Sequence, residues 1–162
     1  MKRFCQSGIA IAAVALVALT ATAAFAAATK VIPFTATYSG TASTNVSGDT
    51  VAILANGTGK GTLIGAGKIT GAGSGDSSQQ PCVPFGGTGK MTGAGGTVTF
   101  KLTSGASGCG DEGGHTFSVT GHAVVLKATG KLAKAKGTLK FTGVFNHDDG
   151  SFSVKFAGTL KK

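Results

Sequence analysis

Two short stretches gather the groups that could do chemistry. Asp111, Glu112 and His115 follow closely on Cys109. Carboxylate and imidazole together can ligate a metal ion. No regular element fixes their spacing, and Gly113 and Gly114 separate them, so the stretch reads as a polar loop. The second is Asn146-His147-Asp148-Asp149-Gly150. It holds too few oxygen ligands for a calcium site. Asn, Asp and Gly are what a hairpin turn requires, and the segment joins two well-patterned strands.

Outside these stretches the chemistry thins out. His122 falls on the Thr/Ser side of an alternating segment and reads as a solvated imidazole. Tyr38 is the single tyrosine. Gly65-x-Gly67-x-x-x-Gly71 is not a phosphate loop, because it sits inside a strand-like repeat and precedes no helix. Serines are plentiful, but a nucleophilic triad is defined by geometry and none can be read from spacing. No catalytic, cofactor or metal site is therefore expected.

Cys82 and Cys109 form the one strong pairwise expectation. An isolated pair in a small secreted domain is most simply a disulfide. Both lie in Gly/Pro/Ser-rich segments, residues 79–86 and 104–114, so the bridge is expected to tie two loops.

The elements that would hold these groups are strands. No segment after the N-terminus has helical periodicity, whereas period-two alternation runs almost throughout. Ile32, Phe34, Ala36 and Tyr38 alternate with Pro33, Thr35, Thr37 and Ser39. Phe152, Val154, Phe156 and Leu160 alternate with Ser151, Ser153, Lys155 and Thr159. Phe117, Val119, Gly121, Ala123 and Val125 form another such face. One apolar face and one wet face mark antiparallel sheet.

Glycine keeps the same parity. Over residues 57–75 the odd positions are glycine except Leu63 and Ile69, and the even ones are Thr, Lys, Ile, Ala or Ser. Glycine is thus expected to fill the inward face of curved strands, Gly59, Gly61, Gly65 and Gly67 included, leaving room for large side chains opposite. A repeat adds to this. Residues 88–100, TGKMTGAGGTVTF, match residues 129–141, TGKLAKAKGTLKF, and each copy changes apolar parity midway. A parity change needs a turn or bulge, so each copy is expected to be one hairpin. The segments add up to about eight antiparallel strands, a common number for a small closed barrel.

The ends and the charge set the compartment. Lys2 and Arg3 precede an uncharged apolar run over residues 9–19, and Ala24-Phe25-Ala26 follows. This is the pattern of a cleaved secretion signal over residues 1–26. The apolar run is shorter than the roughly 20 residues of a membrane span. Cys5 would leave with the signal. Residues 27–162 then form one all-β domain, exported to the medium, periplasm or cell envelope. The formal charge of +9 falls to +7 once Lys2 and Arg3 go. Arg3 is the only arginine, so the processed chain has no guanidinium fork for specific phosphate recognition. Nucleic acid is not an expected partner, since basic clustering and stacking aromatics are both missing.

Residues 86–96, GGTGKMTGAGG, resemble the Gly-Gly-Thr-Gly-Lys-Phe hairpin of dirigent proteins and allene oxide cyclase-like barrels. The copy at residues 129–141 is similar to the Thr-Gly-Arg-Phe hairpin in bacterial secreted proteins of that type. The resemblance implies an eight-stranded antiparallel barrel with a central cavity. The acidic and arginine residues that the family uses around its cavity have no counterpart here, so no activity carries over.

The function expected is a non-enzymatic exported barrel that binds a small apolar molecule or serves as a surface or envelope module. Every Asp and Glu reads as loop, whereas a barrel enzyme would place an acid on an inward strand position. The alternative is a cyclase- or isomerase-type enzyme working by shape, with Tyr38 or a histidine as its polar group. An outer-membrane barrel is disfavoured by the lack of aromatic girdles.

Overall fold

The computed structural model describes residues 29–162; the expected secretion signal, residues 1–26, lies outside them. The described chain forms nine strands: β1 (Val31–Ser47), β2 (Thr50–Gly61), β3 (Gly65–Asp76), β4 (Cys82–Gly93), β5 (Gly96–Leu102), β6 (Ser107–Gly110), β7 (Thr116–Ala128), β8 (Lys136–Asn146) and β9 (Ser151–Lys161). All pairings are antiparallel, and β9 returns to pair with β1. The sheet therefore closes on itself and leaves no edge pair open.

The wall has eight staves, because β5 and β6 share one. β5 pairs with residues 88–93 of β4 and 98–102 with β7, while β6 takes the other end of the same slot, against residues 82–84 and 117–120. The expectation of an all-β closed barrel of about eight strands is met, with β6 as the extra piece.

Alternation puts the apolar face inside. Ile32, Phe34, Ala36 and Tyr38 of β1 are buried while their odd-numbered neighbours are exposed. The register explains the glycines. Large inward side chains sit directly opposite glycine on the neighbouring strand: Tyr38 against Gly59, Phe34 against Gly158, Phe152 against Gly40, Phe100 against Gly89, Phe141 against Gly121 and Phe85 against Gly75. Phe141 and Phe156 face each other with both rings buried, but at these six pairs only one ring enters. Glycine on one side makes room for the ring on the other.

Three local expectations are corrected. The odd-even parity over residues 57–75 is interrupted at residues 62–64, where a turn separates β2 from β3. There Leu63 is 43% exposed and Ile64 is 1% exposed, the reverse of the expected faces. Gly65 closes that turn with φ +80° and nothing within 4 Å of an added Cβ, so it does not face the core. The left-handed backbone, not packing, calls for glycine there.

The second repeat copy is not a hairpin either. Residues 88–100 do form the β4–β5 hairpin, but residues 129–141 form a 3-10 turn, Gly130–Leu132, leading into β8. The two copies meet instead: Thr97 Oγ1 and Thr129 Oγ1 lie 2.8 Å apart, and the Lys131 N–H donates to Gly95 O at 2.8 Å. Finally, Cys82 and Cys109 lie in strands, not loops. They are direct partners on β4 and β6, bridged Sγ to Sγ.

The two ends of the barrel differ. One end is plugged by Ile64 from the β2–β3 turn and by Leu132 and Ala135 from the β7–β8 connection, all at most 1% exposed. Burying side chains of the Ile and Leu size stabilises by about 1.5–3 kcal/mol each. The opposite end, where the β1–β2, β3–β4, β6–β7 and β8–β9 turns lie, is open.

Candidate functional site

The open end leads into a cavity of about 320 Å³. Its floor is aromatic. Phe100 and Phe156 have ring centroids 5.3 Å apart, Phe141 and Phe156 5.9 Å, and Phe85 and Phe141 6.2 Å, all tilted. Such tilted pairs hold a rigid surface at the bottom of the cavity. Inward aliphatics from β2, β6–β7 and β9, among them Val51, Ile53, Val119 and Val154, form the walls. The β3–β4 side is nearly bare, because Gly71, Gly73, Gly87 and Gly89 face each other there. Polar groups occur at the rim: Thr44, Ser77, Gln80 and His147. Among the described residues no Asp, Glu, His or Lys side chain is buried.

The residues singled out from sequence divide cleanly. Asp111 and His115 lie in the β6–β7 turn, where the Asp111 carboxylate accepts the N–H groups of His115 at 2.9 Å and Thr116 at 3.2 Å. The backbone N–H of Thr116, followed by that of His115, holds the Asp111 carboxyl below its ordinary value. Glu112 is exposed in the same turn. In the β8–β9 turn, Asn146 Oδ1 accepts the Asp148 N–H at 2.8 Å. His122 is exposed on the outer face of β7.

What sequence spacing did not reveal is that the two turns touch. His115 Nδ1 lies 2.9 Å from Asp148 Oδ2, and the His147 N–H donates to His115 O at 2.8 Å. The Asp148 hydrogen bond, and after it the Asp148 charge, raises the His115 pKa. Residues 33 apart in the chain meet only because β7 and β8 are neighbours, which no local signal reports. The pair is a clasp between rim turns. Among the described residues, His, Cys, Asp and Glu nowhere gather in threes close enough to hold a metal ion.

Tyr38 is 1% exposed, and its hydroxyl has no hydrogen-bond partner. An added Cβ at Gly61 would lie 3.6 Å from that hydroxyl, which places it toward the plugged end. Burial pushes its phenol above the ordinary value of 10.0. It is not among the residues lining the cavity.

The outer surface also bears on what the barrel is. A barrel that spans a bilayer turns an apolar band outward and keeps polar groups inside. Here Lys68, Lys90, Lys101, Lys140 and Lys155 are exposed on the outer face and the interior is apolar. No helix among the described residues is long and apolar enough to cross a membrane.

The fold and cavity together define a closed, up-and-down antiparallel barrel with one open, apolar end. No known protein family, curated protein or solved structure matches the chain. The barrel implied by the resemblance of residues 86–96 and 129–141 is present, and nothing ties it to dirigent proteins or allene oxide cyclases in particular.

Proposed function

We propose that this protein is an exported, non-enzymatic barrel that holds a small, uncharged apolar molecule in the open half of its interior. One observation carries the reading: a cavity of about 320 Å³ with an aromatic floor, aliphatic walls and polar groups at its mouth. Binding sites for small molecules are concave and mostly apolar, with a few polar groups that orient the ligand, and volumes from about 300 Å³ are typical. The acids, histidines and lysines of the described chain are all solvent-facing, and the buried Tyr38 phenol lies outside the cavity lining, which suits recognition by shape and burial rather than acid-base work. Export is supported by the Cys82–Cys109 bridge, since disulfides persist in oxidising compartments.

The test is a fluorescence titration with N-phenyl-1-naphthylamine, a neutral probe that brightens in apolar surroundings. The expected result is saturable enhancement by the folded protein, abolished in Ala42→Phe. Ala42 is a half-buried inward residue of the cavity wall, so a ring there fills the space the probe needs. No enhancement, or equal enhancement by the variant, would overturn the reading.

A further inference from the structure

The charges of this barrel are sorted along its axis. All six acidic residues, Asp49, Asp76, Asp111, Glu112, Asp148 and Asp149, lie in or beside the turns at the open end. The plugged end carries Lys30, Lys131, Lys134, Lys136, Lys161 and Lys162, all exposed, with no acid among them. These lysines are brought together by the closure of the barrel. Lys30 and Lys162 exchange backbone hydrogen bonds at 2.9 Å, and Lys161 pairs directly with Lys136. Two exposed apolar residues lie within the same patch. Val31, 57% exposed, pairs with Lys161, and Leu126, 46% exposed, offers its carbonyl to the Lys136 ammonium.

From this juxtaposition we infer that the plugged end is a docking surface for an anionic lipid bilayer, holding the barrel with its mouth turned away from the membrane. Lysines are point charges on flexible stems and suit a diffuse sheet of headgroups better than one positioned phosphate. Val31 and Leu126 can sink into the interface between them, the combination by which peripheral proteins reach membranes. The acidic mouth is repelled by the same surface, so one orientation is selected.

Vesicle sedimentation of the processed chain, residues 27–162, tests this. Binding is expected to vesicles of phosphatidylcholine mixed with phosphatidylglycerol, weakened by salt, and not to phosphatidylcholine alone. The triple variant Lys131→Gln, Lys161→Gln, Lys162→Gln is expected to bind about a hundredfold more weakly, each lysine near an anionic surface being worth about 1 kcal/mol. The same charge loss at the waist, Lys101→Gln, Lys140→Gln, Lys155→Gln, is expected to cost far less.

Orientation has its own readout, because the chain has no tryptophan. A Leu126→Trp reporter is expected to shift to the blue on anionic vesicles, and a Val46→Trp reporter at the mouth is not. Equal weakening by the two triple variants, binding to phosphatidylcholine alone, or a blue shift only at position 46 would each overturn the proposal. So would retention by double-stranded DNA without binding to anionic vesicles, which would make the face a polyanion site.

Discussion

The ring of Phe100 occupies the space that a side chain at Gly89 would fill. The two residues are direct partners on β5 and β4, and an added Cβ at Gly89 would lie 2.8 Å from Phe100 Cε2. Phe100 is 4% exposed and its ring lies tilted against Phe156 at 5.3 Å, so a side chain at Gly89 has to push that ring off Phe156 and toward the cavity. Gly89→Val is therefore expected to cost about 1–3 kcal/mol by overpacking. Gly86, on the same strand but facing outward, has nothing within 4 Å of an added Cβ. Gly86→Val is expected to change stability by less than about 0.5 kcal/mol. Urea melts of the two variants decide; similar midpoints would refute the pairing of rings with glycines.

Tyr38 predicts a gain. Its hydroxyl is buried without a partner, a state that costs on the order of 1–3 kcal/mol. Tyr38→Phe keeps the ring against Gly59 and removes the stranded group. The variant is expected to melt at higher denaturant than the parent. A clear loss of stability would mean that the hydroxyl has a partner in solution.

The His115–Asp148 clasp predicts a pH dependence. Asp148 raises the His115 pKa above 6.5, chiefly through its hydrogen bond. A group whose pKa is raised on folding adds stability fully below its unfolded value and loses it as pH climbs through the folded value. The clasp should thus hold under mildly acid conditions and loosen above the raised pKa. Both side chains are well exposed, at 64% and 60%, so the effect on overall stability is small. NMR titration of the His115 ring should give a midpoint above 6.5 that Asp148→Asn brings back down. A parent midpoint at or under 6.5 counts against it.

The Cys82–Cys109 bridge closes a loop of sequence separation 27 and staples β6, the shortest strand, to β4. Its removal is expected to cost about 3 kcal/mol in the chain-entropy model. Melts of the protein with and without reductant measure this, and peptide mapping under non-reducing conditions should show the linked pair. Unchanged midpoints would show that β6 holds its place without the bridge.

The barrel was legible because its rule is local. Alternation along β1, β7 and β9 names the inward residues directly, and the parity of Gly57, Gly59 and Gly61 marks them as inward too. The failures came where a tight turn reset the parity. At Leu63 and Gly65 the backbone enters the left-handed region, and glycine there answers to φ rather than to packing. The repeat at residues 129–141 misled for a similar reason, since like sequences begin a hairpin in one place and a 3-10 turn in another. The cavity floor and the His115–Asp148 contact depend on register between strands far apart in sequence, which period-two patterning does not encode.

The pairing of β1 with β9 governs when this molecule can become itself. β1 has to wait for β9, so a sheet formed before β9 is made would have two bare edges. Such edges invite pairing with other chains, and long-range strand pairing is slow. This wiring is compatible with passage across a membrane as an unfolded thread, because the barrel cannot close before β9 arrives. It also tolerates truncation poorly: a chain stopped before Ser151 would keep most of its core residues and still lack the closing stave, leaving it prone to aggregate rather than merely weakened.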